Sequence, residues 1–544
     1  MLLRYLKKIF YNSVAELRLH ASFALFSSLM VAGCSQNEIL NESVDTANVL
    51  KVTVTENGFE SVDSESRAVD NGSATNFENG DKIGVYIVED GATVIQKNVA
   101  LTYNSATSAW DGTLYYYEGA DYIAYYPYDE EMGEMKSVAD IQKYFSENKY
   151  TQDQNSAEAY RNCDLMTAEV KAENVQEGGD LNLALSHAMA LVEFNIPTYA
   201  YKTSDEADAY TYGVPLGDLT ITLGGTDYTP YNISTGLYRC IVSPSDAAFD
   251  INGSFMDVKV NKPVKFEKAG VTMTANQYKR YNVTYGGAPG TGVTTRPIEV
   301  GDYYYADGNI VPKDFPTVPA GCIGVVFSTT TNHEMALDGV TACNHGYVLS
   351  LKNASGNVSG NTGAWGYSLW TTTPSDWTTV GLTPVAQENL SSIVSDNNGL
   401  AYTNSIVSNI EADGVDKLKH ALETYGKQGM AMEAYEASDK TTGWFVPSVG
   451  QLLSIVHNLG GDEDFAGTQV TNESFKNINE VLEKAGGDVD KGQTTTKWWS
   501  SNVGTKASGS TTGAFLLELS SSGKCEIWVD GYGSKNRVRP ILAF

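Results

Sequence analysis

The residues in this chain that could do chemistry are few, and most fail a test of spacing. Asn332-His333-Glu334 opens like the helix of a zinc peptidase, but the position four residues after His333 is Leu337, so the second histidine ligand is missing. There is no Gly-x-Ser-x-Gly elbow, phosphate-binding loop or dinucleotide fingerprint, and paired glycines such as Gly224-Gly225 read as turns. Five of the six cysteines (Cys163, Cys240, Cys322, Cys343 and Cys525) form no Cys-x-x-Cys pair, which argues against a zinc site. Cys322 and Cys343 are readable either as a disulfide or as small buried apolar residues. His187 lies in the apolar stretch 185–194 and reads as a hydrogen-bonded core residue rather than a ligand or a base. No catalytic residue, metal ion or cofactor is expected, and the chain is read as a non-enzyme.

The sixth cysteine has a definite assignment. Lys7, Lys8, Arg18 and His20 precede the apolar run 21–32 (ASFALFSSLMVA), which ends in Val31-Ala32-Gly33-Cys34. A charged region, a short apolar region and a small residue before cysteine make a lipoprotein export signal over residues 1–33, with Cys34 as the acylated residue and 34–49 as a polar tether. Each buried acyl methylene contributes about 0.8 kcal/mol, so the lipid alone would hold the precursor to a membrane. Beyond that end no apolar run approaches the roughly 20 residues that cross a bilayer. The formal net charge of −29, from 37 Lys plus Arg against 66 Asp plus Glu, opposes binding to nucleic acid or to anionic lipid surfaces.

The elements that must carry these residues are mainly β. Among 544 residues there are 33 Tyr and 51 Gly, a mix suited to strands and turns. Alternating segments at 50–55, 81–88 and 122–128, bounded by Asn-Gly, Glu-Gly and Asp-Gly, predict antiparallel hairpins in a sandwich. Of eight tryptophans only Trp110 precedes residue 297, and a Gly-rich stretch at 286–296 coincides with that break, so a linker between two independently packed units is expected. After it, Val449, Leu452, Leu453 and Val456 recur at helical spacing behind Ser448, a helix with a serine cap. Trp444, Trp499 and Trp528 sit in strand-like motifs and are expected in the core.

Residues 77–86 (FENGDKIGVY), 124–128 (AYYPY), 164–166 (DLM) and 185–194 (LSHAMALVEF), in that order behind the lipid signal, resemble the fimbrillin family of type V pili over about residues 48–285. The resemblance implies two tandem β-sandwich lobes, here 50–194 and 195–285, with strands near 219–223, 238–242 and 278–285. The region 297–544, with GWFVPS at 443–448, WWSS at 498–501 and RVRPILAF at 537–544, resembles bacterial C-type-lectin-like domains of α+β architecture, without their calcium-dependent sugar motifs.

As the resemblance implies, an arginine-specific protease would cut between Arg67 and Ala68, removing the acylated first strand and opening a groove for a strand of another subunit. The precursor would be an outer-membrane lipoprotein and the mature form part of a fimbrium. Residues 537–544 look like the last domain's own closing strand, which leaves no free donor and suits a tip adhesin. Its partners would be other fimbrial subunits and a host or microbial surface glycan or protein, with Trp365, Trp370 and Trp377 as a candidate ligand surface. The alternatives are a surface glycan-binding lipoprotein that never polymerises and an envelope hydrolase, for which no arranged catalytic group is visible.

Overall fold

The computed structural model describes residues 48–61, 76–333, 342–353, 363–364, 381–412, 440–470, 473–489, 495–507, 512–531 and 535–544. The architecture is mainly β. Among the described residues no helix is long and apolar enough to cross a membrane.

The first module is one seven-stranded sheet. Its spatial order is Lys51–Asn57, Asp180–His187, Met166–Val170, Ala120–Tyr126, Lys82–Glu89, Thr93–Asn104 and Ala109–Asp111. Strand Lys82–Glu89 shows why this sheet is apolar on both faces. Ile83, Val85 and Ile87 pack with Leu101, Tyr122, Leu181, Leu183 and Leu185 on one side. Tyr86 and Val88 pack on the other, with Tyr125 and with Ile141 and Phe145 of helix Val138–Asn148. Ser137 caps that helix by accepting from the Asp140 N–H, and the four-residue spacing of Ile141 and Phe145 puts both on its sheet-facing side.

The expected sandwich of antiparallel hairpins is thus replaced by a single curled sheet. Both of its edges feed the same interior cluster, Leu50, Val52 and Val54 at one and Trp110 at the other. The edge strands approach one another, so the sheet nearly closes on itself and the first strand occupies its seam. That strand runs parallel to its neighbour, from Lys51 opposite Asp180 to Asn57 opposite Ser186, which no hairpin could produce.

A sandwich follows. One layer is ordered Thr226–Tyr228, Gly217–Leu223, Ser245–Asp257 and Lys262–Met273; the other is Tyr231–Ser234, Leu237–Val242, Ala190–Asn195, Gln277–Asn282 and Glu60–Ser61. Between them pack Ile221, Ile251, Phe255 and Val271 from the first layer and Val192, Phe194, Cys240 and Val242 from the second. Strand Ala190–Asn195 is central here, so the boundary expected after residue 194 lies instead at 188–189, where the chain steps from one sheet to the next. An apolar stretch running unbroken through that step conceals it from a reading of periodicity.

The last region is α+β. One sheet is ordered Ile310–Val311, Tyr303–Tyr305, Cys322–Ser328, Tyr347–Ser350 and Ile541–Ala543; another is Val385–Ala386, Thr495–Thr505, Thr512–Ser520, Lys524–Gly531 and Thr468–Val470. Helix Val449–Asn458 begins where its spacing predicts, with Ser448 and Gln451 forming a reciprocal capping box. Phe544 is buried, its ring 4.4 Å from that of Tyr304, and its backbone bonds Gly346 and His345.

The independent packing expected across 286–296 is not found. Tyr201, Tyr212, Val214 and Val258 share one core with Tyr303, Tyr304 and the rest of the last region. Asn309 Oδ1 accepts from the Gly213 N–H and the Thr235 hydroxyl at 2.8 Å each, and Arg296 grips Asp302 with two nitrogens at 2.7 and 2.9 Å. A polar glycine stretch reports its own lack of a core, and nothing about whether the tyrosines on either side meet.

Gly84 is needed because Tyr125 lies across it, with its ring where a Cβ would stand and its hydroxyl fixed on Asn98 and Asp129. Gly84→Val should destabilise this module by about 1–3 kcal/mol through overpacking. Gly133→Ala, where nothing lies within 4 Å, should not lower stability; urea midpoints compare the two.

Candidate functional site

The seam strand is held along its backbone, on its inner face and at its end. Leu50 N–H donates to Leu114 O at 2.9 Å and Lys51 N–H to Gly179 O at 3.1 Å, ahead of the parallel ladder. Side chains alternate along it: Val52, Val54 and Glu56 are half-buried, while Lys51, Thr53, Thr55 and Asn57 are exposed. Leu50, Val52 and Val54 join the cluster that holds Leu181, Leu183 and Leu185. Fully burying one such side chain is worth about 1.5–3 kcal/mol.

Glu56 breaks that pattern, because it places an acid on the inward side. Its carboxylate is only 9% exposed and meets His187 Nε2 at 2.9 Å, while His187 Nδ1 meets Asp164 Oδ1 at 2.8 Å. An imidazole that donates from both nitrogens is protonated. Burial by itself would push His187 down, but its hydrogen bonds to Asp164 and Glu56 outweigh that and raise it to about 9. Phe59 covers the ring in a near-parallel stack, with centroids 3.5 Å apart.

Beyond Phe59 the chain crosses to the sandwich. Glu60 N–H donates to Asn276 O at 2.7 Å, and Glu60–Ser61 pairs in parallel with Gln277 and Tyr278 at the sheet edge. Residues 50–61 are therefore a strap that closes the curled sheet and reaches the sandwich. A second buried acid, Glu193, offers a contrast. It binds Arg239 at 2.7 Å and the Tyr278 hydroxyl at 2.8 Å, partners all within the sandwich. Only the His187 cluster borrows a member from the strap.

Of the residues marked by the sequence, Cys34, Arg67, Ala68, Trp365, Trp370 and Trp377 lie outside the described residues. His187 is the hydrogen-bonded core histidine expected. Its partners Glu56, Asp164 and Phe59 escaped notice, although an acid at the inward parity of 50–56 was a readable signal. His333 lies edge-on between the rings of Tyr347 and Phe445, and burial pushes its pKa down. The five described cysteines form no disulfide with one another, so Cys322 and Cys343 do not pair. Trp444 and Trp499 are in the core as expected. Trp528 is only half-buried; its indole N–H donates to Glu518 at 3.2 Å and Lys497 Nζ sits 5.0 Å from its ring. A cavity of about 370 Å³ opens between the segment 208–211 and the last region, lined by Tyr210, Tyr304, Asp307, His345, Lys440 and Phe544.

A curled sheet closed by an N-terminal strap, a sandwich and an α+β region define a multi-part β protein, and comparison with known proteins gives it relatives. A family profile described as "Fimbrillin-like" matches residues 66–299, beginning just past the strap. A Bacteroides ovatus protein named "Putative fimbrium tip subunit Fim1C" is 28% identical over 490 residues, covering 82% of this chain and 88% of that one. The crystal structure of a fimbrial protein from Bacteroides ovatus shares the fold, with a TM-score of 0.50, 23% identity, and coverage of 92% of this chain and 100% of that one.

The histidine cluster makes stability depend on pH with a defined sign. Since the folded value of about 9 lies above the ordinary one of about 6.5, its contribution is complete below about pH 6.5 and is lost as pH rises through about 9. Urea midpoints should fall between about pH 6.5 and about pH 9.5. Glu56→Gln should cost about 1.5–3 kcal/mol at the lower pH and shrink the difference. An undiminished pH dependence in that variant would exclude Glu56 from the effect.

Proposed function

We propose that this chain is a fimbrial subunit, exported as a lipoprotein precursor, whose strap is cut away after Arg67 so that a strand of another subunit can take its place. The observation that carries this reading is the seating of residues 50–57: a parallel edge strand in the seam of a curled sheet, joined to the body only through the segment that contains Arg67. Such a strand can leave without unthreading any other. What it leaves behind is a row of unpaired backbone groups above buried leucines, the kind of edge that strand addition repairs. The fimbrillin-like match and the names of the relatives support the same class, and a structural, non-enzymatic role follows from it.

The finer placement is at the filament tip. A stalk subunit must donate a strand as well as accept one. Here Ile541–Ala543 is paired with Tyr347–Ser350 and Phe544 is buried, so the described segment 541–544 is engaged within the chain's own fold. The α+β region, which resembles C-type-lectin-like domains, would be the part that meets a glycan or protein. The junction cavity, lined by aromatic and polar side chains, favours a second reading, a glycan-binding surface lipoprotein that never polymerises.

Protein recovered from sheared filaments should begin at Ala68, and gold-labelled antibody to residues 297–544 should mark one distal end of each filament. An N-terminus at acyl-Cys34 would favour the non-polymerising lipoprotein. Label along the shaft would refute the tip placement.

A further inference from the structure

We propose that the vacated seam selects its incoming strand by an acidic side chain followed three residues later by an aromatic ring, read by His187 and the apolar slot beside it. This rests on the strand-exchange reading above and adds the chemistry of the partner to it.

Removing the strap takes away Glu56 and Phe59 but leaves His187 bonded to Asp164 through Nδ1. The Nε2 of a ring that is fully buried while the strap is in place then loses its acceptor. One face of that ring loses its cover, and the apolar cluster that Phe59 shares with Ala188, Met189, Leu191 and Ile241 loses a member. A buried charged donor without a partner is costly, and an apolar residue in Glu56's place would leave it so. An incoming carboxylate satisfies it with a charge-assisted hydrogen bond.

The register fixes the rest of the pattern. The occupant must run parallel to Asp180–His187, with apolar side chains at the positions opposite Leu181 and Leu183 that Val52 and Val54 now fill. The acid follows at the position opposite Leu185, where Glu56 stands, and the ring three residues beyond it. Outward positions such as that of Thr53, which is exposed, carry no such demand. Backbone pairing accepts any extended strand, so discrimination must come from side chains that meet pockets, and at the end of the strand's inner face His187 presents a charged donor.

The test uses the full chain nicked after Arg67 by an arginine-specific protease, and a fluorescent peptide of residues 48–61 (NVLKVTVTENGFES). Glu56→Gln and Phe59→Ala in the peptide should each weaken binding by about ten-fold or more, and Thr53→Ala should leave it unchanged. The same two substitutions made in the chain itself should speed release of its own fragment after nicking by a similar factor. Equal binding and equal release for all variants would overturn the proposed anchor while leaving strand exchange in place. Failure of every peptide to bind, together with retention of the fragment in mild urea, would overturn strand exchange and the anchor with it.

Discussion

The whole first module depends on closing one seam. A sheet that is apolar on both faces can cover its outer side with a helix, but its inner side is covered only by curling, and curling leaves two edges that must meet. Without the first strand, Asp180–His187 would be one of those edges. Its outward backbone groups and the inward leucines at 181, 183 and 185 are satisfied by a strand that comes from far upstream in the chain. A segment so important to closure is also simply attached, parallel and at the edge, and the proposed exchange rests on that.

The histidine cluster shows how the strap's end is fixed without a covalent link. Val52 and Val54 supply burial that any alternating strand could match. Glu56 supplies a specific partner, which sets the register, because a shift by one residue would turn the carboxylate to solvent and leave the buried imidazolium short of an acceptor. Asp164 comes from the loop before Met166–Val170 and stays with the body, so the site retains one of its two carboxylates whatever happens to the strap. In Glu193 the buried charge is met by Arg239, Arg280 and Tyr278, all within one sandwich.

Much of this was legible in the sequence where a local rule governs. Residues 82–86 and 124–126 do lie in neighbouring strands, though the second ends at Tyr126 rather than running to 128, and Ser448 starts its helix where spacing and cap agree. What eluded the sequence is contact at a distance. Glu56 lies 131 residues from His187, and a parallel pairing has no hairpin turn to announce it. The step at 188–189 was hidden because both sheets want the same apolar residues on either side of it. The linker misled for the opposite reason: its glycines are as polar and open as they look, yet the tyrosines at 201, 212 and 303–305 close a common core around it.

In the proposed exchange, covalent attachment would decide when the strap can leave. While residues 62–75 connect it to the body, its effective concentration at the seam is of the order of millimolar, and a strand on another molecule at micromolar concentration competes at a disadvantage of about a thousand-fold even with equal contacts. Breaking that connection leaves all the contacts of residues 50–61 intact and removes only the advantage. The strap then dissociates at a rate set by its buried side chains and by the Glu56–His187 pair, and a strand that reproduces those contacts while being held nearby by its own subunit inherits the advantage the strap has lost. On that proposal proteolysis would not have to force the seam open; it would make the closing strand replaceable, and the contacts at His187 would determine by what.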